Sequence, residues 1–290
     1  VAVVLNVEAD HLDIYADVDD ITRTFTQFMQ PARSVVLCGD DAGAAALPQD
    51  ATRELVRYAV DVPGARGLAD ARLVARDLVL DAAGARARVE FDGRSQGELV
   101  LQVPGVHNVR NALAALGAGL MVGATVAEML PGLARFTGVE RRFQRIGQVG
   151  DVLVVDDYAH HPTEVAATIA AARAMHASRR LVVAFQPHLF SRTRDFADAF
   201  GAALAGADAC FLCDIYPARE QPIAGVTSAL IADAMRAAGR TPAWTGARDA
   251  CADALRAFVR AGDLVVTMGA GDITRTGPAL LAALGDSGRA

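Results

Sequence analysis

Four short runs in the second half of the chain, residues 152–156, 181–185, 209–213 and 264–268, are apolar nearly throughout. They show none of the in-out alternation of a half-exposed strand. Between them lie segments with helical periodicity that end near His176, Ala205, Ala238 and Ala261, and another follows to Leu284. Strands apolar on both faces must be covered on both faces, and helices between them make each connection a crossover. This half is therefore predicted to be a Rossmann-like, doubly wound α/β domain. In such sheets ligands bind beyond the carboxyl ends of the strands. There the sequence turns polar: Asp156-Asp157-Tyr158, Gln186-Pro187-His188, Asp214-Ile215-Tyr216 and Gly269-Ala270-Gly271-Asp272. The candidate site is that edge.

The first half has a different texture. A strand is expected over 1–6, then a helix over 18–30 with Ile21, Phe25 and Phe28 on one face, then a strand over 34–38. Residues 73–103 hold three β-like runs broken at Ala83-Gly84 and Asp92-Gly93, and Asp-Gly is a favoured hairpin turn. Helices follow over 106–121 and 126–136. The expectation is a mixed sheet with an antiparallel patch, and a boundary near Gly138 gives domains 1–137 and 138–290, in line with ~100–200 residues per domain.

Composition narrows the function. With 52% hydrophobic and 21% charged residues the chain has ample surface to bury, which excludes disorder. No apolar run approaches the ~18–20 residues of a membrane span. A formal charge of -6 argues against a nucleic-acid surface. All 28 basic residues are arginine, so this chain supplies neither a Schiff-base lysine nor the lysine of a phosphate-binding P-loop. It opens at Val1, already inside a strand-like run, and reads as a piece of something longer. Four cysteines are too few for a disulfide framework at this length and fit a reducing cytoplasm.

Several motifs carry chemistry, each with a plainer alternative. Glu8, Asp10, His11 and Asp13 crowd one loop after the first strand, as a divalent metal site or as an acidic, helix-capping loop. Asn108 and Asn111 share a face at a helix start, either tying the helix to its neighbour or reading a planar ligand. Arg142, in Gly138-Val139-Glu140-Arg141-Arg142-Phe143, offers a guanidinium fork to a phosphate, or a rim salt bridge. His160-His161 lacks the companions of a zinc site, and Cys210 and Cys213 on one buried strand would face opposite ways. Gly269-Ala270-Gly271-Asp272 lacks the third glycine of a dinucleotide fingerprint, so a nicotinamide oxidoreductase is weakly supported.

Taken in order, NVEADHLD, HNVRN, GVERRFQ, DDYAHHPTEV, QPHLFSRT, DIYPARE with PIAGV, and GAGD resemble the Mur ligase family along the whole chain. The resemblance implies the later part of a central ATPase domain followed by the complete carboxyl-terminal domain. The UDP-binding domain and the P-loop would lie in an amino-terminal part of the same enzyme. The implied reaction is ATP-dependent amide formation in peptidoglycan synthesis, joining L-alanine to UDP-N-acetylmuramate through an acyl phosphate, with Mg2+. This chain by itself is expected to be inactive. A tripeptide-recycling member of the family and a non-catalytic nucleotide-binding fragment are the alternatives.

By the same resemblance His11 helps bind magnesium, Asn111 lies near the adenine with Asn108 supporting the helix start, Arg142 approaches the ATP phosphates, and Asp157 contacts the ribose. Tyr158, His160, His188 and Arg192 fall where the amino-acid and muramoyl carboxylates are handled, with Arg142, His160 and His188 as the catalytic candidates. Three positions depart from the alanine-adding pattern: Ala159 replaces a glycine, Leu189 an arginine and Arg219 a glycine.

Overall fold

The computed structural model describes residues 1–10, 12, 14–81 and 84–287. It divides into two compact units, Val1–Thr137 and Gly138–Ala290.

In the first unit β1 (Ala2–Val4), α1 (Val18–Met29), β2 (Ser34–Cys38), α2 (Ala42–Ala46) and β3 (Glu54–Val60) lead to β4 (Leu73–Asp81), β5 (Gly84–Phe91) and β6 (Arg94–Leu101). The six strands pair in chain order. β1 to β4 are parallel, and β4, β5 and β6 are antiparallel. The sheet is thus mixed, with its antiparallel patch at one edge. Helices α3 (Val106–Leu120) and α4 (Val126–Ala134) complete the unit. Val109, Leu113 and Leu116 on α3 recur at helical spacing and are fully or nearly fully buried with Val36, Leu37, Tyr58 and Leu73 of the sheet. On α1, Ile21 is buried while Phe28 is 54% exposed, so the expected apolar face turns only partly inward.

In the second unit β7 (Gln144–Val149), β8 (Val152–Asp157), α5 (Pro162–Met175), β9 (Arg180–Phe185), α6 (Phe190–Leu204), β10 (Ala209–Cys213), α7 (Ala229–Ala237), β11 (Trp244–Gly246), α8 (Arg248–Phe258) and β12 (Asp263–Met268) are followed by a 3-10 turn, Asp272–Arg275, and α9 (Thr276–Ser287). The strand order is β11-β10-β9-β12-β8-β7, parallel except for β7. Two separate clusters of buried side chains cover the two faces. Val183, Phe185 and Phe200 belong to one, and Val182, Ala184 and Phe211 to the other. Cys210 lies in the first cluster and Cys213 in the second, as their spacing on a strand requires; all four cysteines are free and buried. Among the described residues no helix is long and apolar enough to cross a membrane.

Candidate functional site

The parallel register brings Asp157, Met268 and Phe185 level with one another, so the loops after β8, β12 and β9 leave the sheet side by side. The loop after β10 joins them through a bridge between His188 and Tyr216. Four rings line up across these loops. Tyr158 meets His160 edge-on at 5.1 Å, His160 meets His188 edge-on at 5.9 Å, and His188 stacks on Tyr216 at 5.7 Å. Gly271 lies beneath Tyr216: a Cβ there would sit 2.6 Å from Tyr216 Cγ, which is why the loop carries no side chain at this point.

The residues around His188 set its charge. Burial, followed by the nearby His160, Arg192 and Arg219, pushes its imidazole down to about 4, so the ring is neutral near neutral pH. Its Nδ1 is buried without a hydrogen-bond partner among the described residues. Arg192, two residues into α6, is 5% exposed. Three residues further along α6, Asp195 Oδ1 accepts from Arg194 Nε at 2.7 Å. Leu189 precedes α6 at φ +73°, with its side chain buried and its N–H donating to Tyr216 O at 3.0 Å. A non-glycine residue there costs on the order of 1–3 kcal/mol. Glu220 fastens the same helix start, accepting from Ser191 N at 3.0 Å and Ser191 Oγ at 2.5 Å.

Arg142 sits between two residues at positive φ, Arg141 (+59°) and Phe143 (+48°). A turn of this kind persists only when its surroundings over-determine it, and here they do. Asp157 Oδ2 accepts from Phe143 N at 2.8 Å, Gln144 Oε1 from Arg141 N at 2.8 Å, and Arg141 O from Tyr158 N at 2.6 Å. Asp157 Oδ1 takes Ala159 N at 2.8 Å, so each of its oxygens already holds a backbone amide. Burial outweighs these bonds and the nearby Arg142, and the Asp157 carboxyl is raised above the usual carboxylate range. The Arg141 side chain turns inward to Asp156 Oδ2 at 3.2 Å and Gly269 O at 2.5 Å, and lies 4.7 Å over the Tyr158 ring. Arg142 turns outward, half exposed, with Nη1 3.3 Å from Glu164 Oε1.

Beside this row, Gln186 Nε2 donates to Asp272 Oδ1 at 2.9 Å and Arg248 Nη2 to Asp272 Oδ2 at 2.8 Å. Burial opposes ionisation of Asp272, but these bonds outweigh it and hold the carboxyl below its ordinary value.

In the first unit the Asn108–Asn111 segment opens α3. Asn108 Nδ2 donates to Pro104 O at 2.6 Å, a bond to the segment that leads into its own helix. Arg110, between the two asparagines, donates from Nε to Asp40 Oδ2 at 3.2 Å, and Asp40 also accepts Val60 N at 2.9 Å. The helix start is thereby pinned to the ends of β2 and β3 while Asn111 stays exposed. His11 and Asp13 lie outside the described residues. Of their loop companions, Glu8 accepts from Asn6 Nδ2 at 2.8 Å. Among the described residues no group of three or more His, Cys, Asp or Glu side chains is placed to hold a metal ion.

Of the nine residues singled out from sequence, the second unit thus gathers Tyr158, His160 and His188 in one row, with Arg192 near His188, Arg142 on the adjoining turn and Asp157 at the end of β8 holding that turn. Sequence reasoning passed over Arg141 and Glu164. For Glu164 the signal was available: a His-x-x-Glu start of helix, a variant of the capping box.

The Mur ligase middle domain family matches residues 1–119, and the Mur ligase glutamate ligase domain family matches residues 141–271. The chain belongs to the Mur ligase family. Its curated relatives include a UDP-N-acetylmuramate--L-alanine ligase of Kineococcus radiotolerans, 49% identical, with 97% of this chain and 59% of the relative covered. Another, from Cutibacterium acnes, is 46% identical over 98% of this chain and 60% of its own length. This chain therefore spans about 60% of the Mur ligases it matches. Among solved structures, the UDP-N-acetylmuramate-alanine ligase of Thermotoga maritima shares the fold with a TM-score of 0.75 at 24% identity, over 98% of this chain and 59% of that one. The MurF ligase of Thermotoga maritima in complex with ADP has a TM-score of 0.74 at 19% identity, over 99% of this chain and 62% of that one.

Proposed function

We propose that this chain is the acceptor-binding part of an enzyme that joins L-alanine to UDP-N-acetylmuramate at the expense of ATP. The observation that carries the reading is the row Tyr158, His160, His188 and Tyr216 beside the buried Arg192, in a chain 49% identical to an alanine-adding relative. An amino acid held for attack needs its carboxylate gripped and its amine left free. A guanidinium fork grips a carboxylate. The neutral His188 contributes hydrogen bonding and shape to that grip, and Arg192 supplies the charge.

In the reaction an oxygen of the muramoyl carboxylate attacks the γ-phosphorus of ATP, ADP departs, and an acyl phosphate forms. The amine nitrogen of L-alanine then attacks the acyl carbon, the carbon–oxygen bond to phosphate breaks, and inorganic phosphate leaves. Charge neutralisation and positioning dominate such chemistry. Arg142, half exposed and lightly held, is the guanidinium that meets the transferring phosphate. His160 takes the proton that the amine must lose. Asn111 faces the adenine from the start of α3, with Asn108 bracing it, and Asp157 serves the ribose side by fixing the Arg141–Phe143 turn. By the family resemblance His11 would help hold magnesium, which would supply positive charge beside the ATP phosphates. An ATP-consuming reaction of this kind belongs in the cytoplasm.

The acyl phosphate is tested by isotope transfer in the full-length enzyme. With 18O in the muramoyl carboxylate, one labelled oxygen is expected in the released inorganic phosphate. Phosphate free of label would overturn the mechanism.

A further inference from the structure

Glu164 is the third residue of α5, and its carboxylate touches both His160 and Arg142. Oε2 accepts from His160 N at 2.9 Å and His161 N at 3.2 Å, and lies 3.1 Å from His160 Nδ1. Oε1 lies 3.3 Å from Arg142 Nη1. The contacts to the His161 amide form the capping box of α5, for which a neutral side-chain oxygen would serve as well. The contacts to Arg142 and to the His160 ring are not needed to start a helix.

His160 Nδ1 faces two acceptors, Tyr158 O at 3.0 Å and Glu164 Oε2, so Nδ1 carries the ring proton and Nε2 is the nitrogen left to accept another. When Nε2 takes a proton, the imidazolium lies against a carboxylate. Burial works against the charge of Glu164, but the His160 hydrogen bonds, the His160 charge and Arg142 outweigh it and hold its carboxyl at about 2, so it is ionised throughout. This is the carboxylate–imidazole arrangement that orients a base and steadies its charged form.

We propose that Glu164 is a positioning residue that holds the phosphate-facing Arg142 and the amine-facing His160 on one carboxylate, so that the group meeting the leaving phosphate and the group receiving the amine proton are set together. The inference rests on the alanine-ligase reading above. The long 3.3 Å contact to the half-exposed Arg142 suits a guanidinium that exchanges Glu164 for phosphate during turnover. As the acyl phosphate breaks, the departing phosphate releases Arg142, which returns to Glu164.

The test is Glu164→Gln in the full-length enzyme, because glutamine keeps a capping oxygen and removes the charge. Wild type, Glu164→Gln, His160→Asn and the double variant are compared by kcat, by KM for ATP and L-alanine, and by Tm. The expected result is a kcat lower by roughly 10- to 100-fold, a KM for ATP within about threefold of wild type and an unchanged Tm. The double variant should lose clearly less than the product of the two single losses, because part of what Glu164 does is done through that ring. A kcat within about twofold of wild type would overturn the proposal. So would a loss that multiplies with His160→Asn, since a defect in helix capping is independent of the base and multiplies with any other; that comparison decides even if Tm falls. If the wild-type enzyme released no ADP in response to L-alanine, the ligase reading itself would fail, which an active wild type with an indifferent Glu164→Gln would not imply.

Discussion

Arg142 owes its position to neighbours that face inward. Asp157 holds the amide of Phe143, and Arg141 grips Asp156 and the Gly269 carbonyl, so the one side chain of the turn that points outward is presented by a scaffold. Lysine in its place would carry the charge without the fork, and a bridging guanidinium at a transferring phosphate is worth roughly 10³–10⁵ in rate. Arg142→Lys in the full-length enzyme is therefore expected to lower kcat by at least about 10²-fold, measured as ADP release at saturating substrates. Arg192→Ala should act differently, raising the KM for L-alanine or the muramoyl substrate far more than that for ATP. His188 gives a pH signature. Its folded-state value near 4 lies below the ordinary 6.5, so between these pH values the unfolded chain binds a proton that the folded chain refuses. Its contribution to stability is complete above 6.5 and is lost as the pH falls toward 4. Thermal unfolding of the chain should show His188→Gln losing less Tm than wild type across that window.

At the scale of elements, ion pairs at the amino ends of the strands of the second unit separate by burial. Arg180 forks onto Asp263 at 2.8 and 2.7 Å, and that carboxylate is fully buried at the start of β12. Removing Arg180 strands the charge, so Arg180→Met is expected to cost about 3 kcal/mol in a denaturant titration. Arg173→Met, which breaks a half-exposed pair with Asp208, should cost under about 1 kcal/mol. The same contrast of buried and exposed explains what the sequence disclosed. β10 is apolar along its whole length and β2 is so from Val35 onward, and both end where the apolar runs end. β3, carrying Glu54 and Arg57, β7, Gln144–Val149, and the three-residue β11 give no such pattern, and only their neighbours' edges recruit them. The site followed the same logic. Tyr158, His160, His188 and Tyr216 sit in loops after legible strands, so their company could be foreseen. The left-handed turn around Arg142 and the double grip of Glu164 depend on tertiary partners and could not.

At the scale of the whole molecule each unit has its own core, with the clusters around Val36 and Leu113 in one and around Phe185 and Phe211 in the other. Residues 138–287 expressed alone are expected to unfold in a single cooperative transition followed by circular dichroism. The chain as a whole contains no lysine, so it cannot furnish the phosphate-gripping lysine of a P-loop, and no measurable ATP turnover is expected from it by itself. The proposed chemistry is that of a longer enzyme, and what distinguishes it is the acceptor, L-alanine. The measurement that bears on it most directly is ADP release by the full-length enzyme with ATP and UDP-N-acetylmuramate, as L-alanine or a murein tripeptide is added. The expected result is turnover that saturates with L-alanine and is absent with the tripeptide. Turnover that ignores L-alanine, or that responds to the tripeptide instead, would contradict L-alanine as the acceptor.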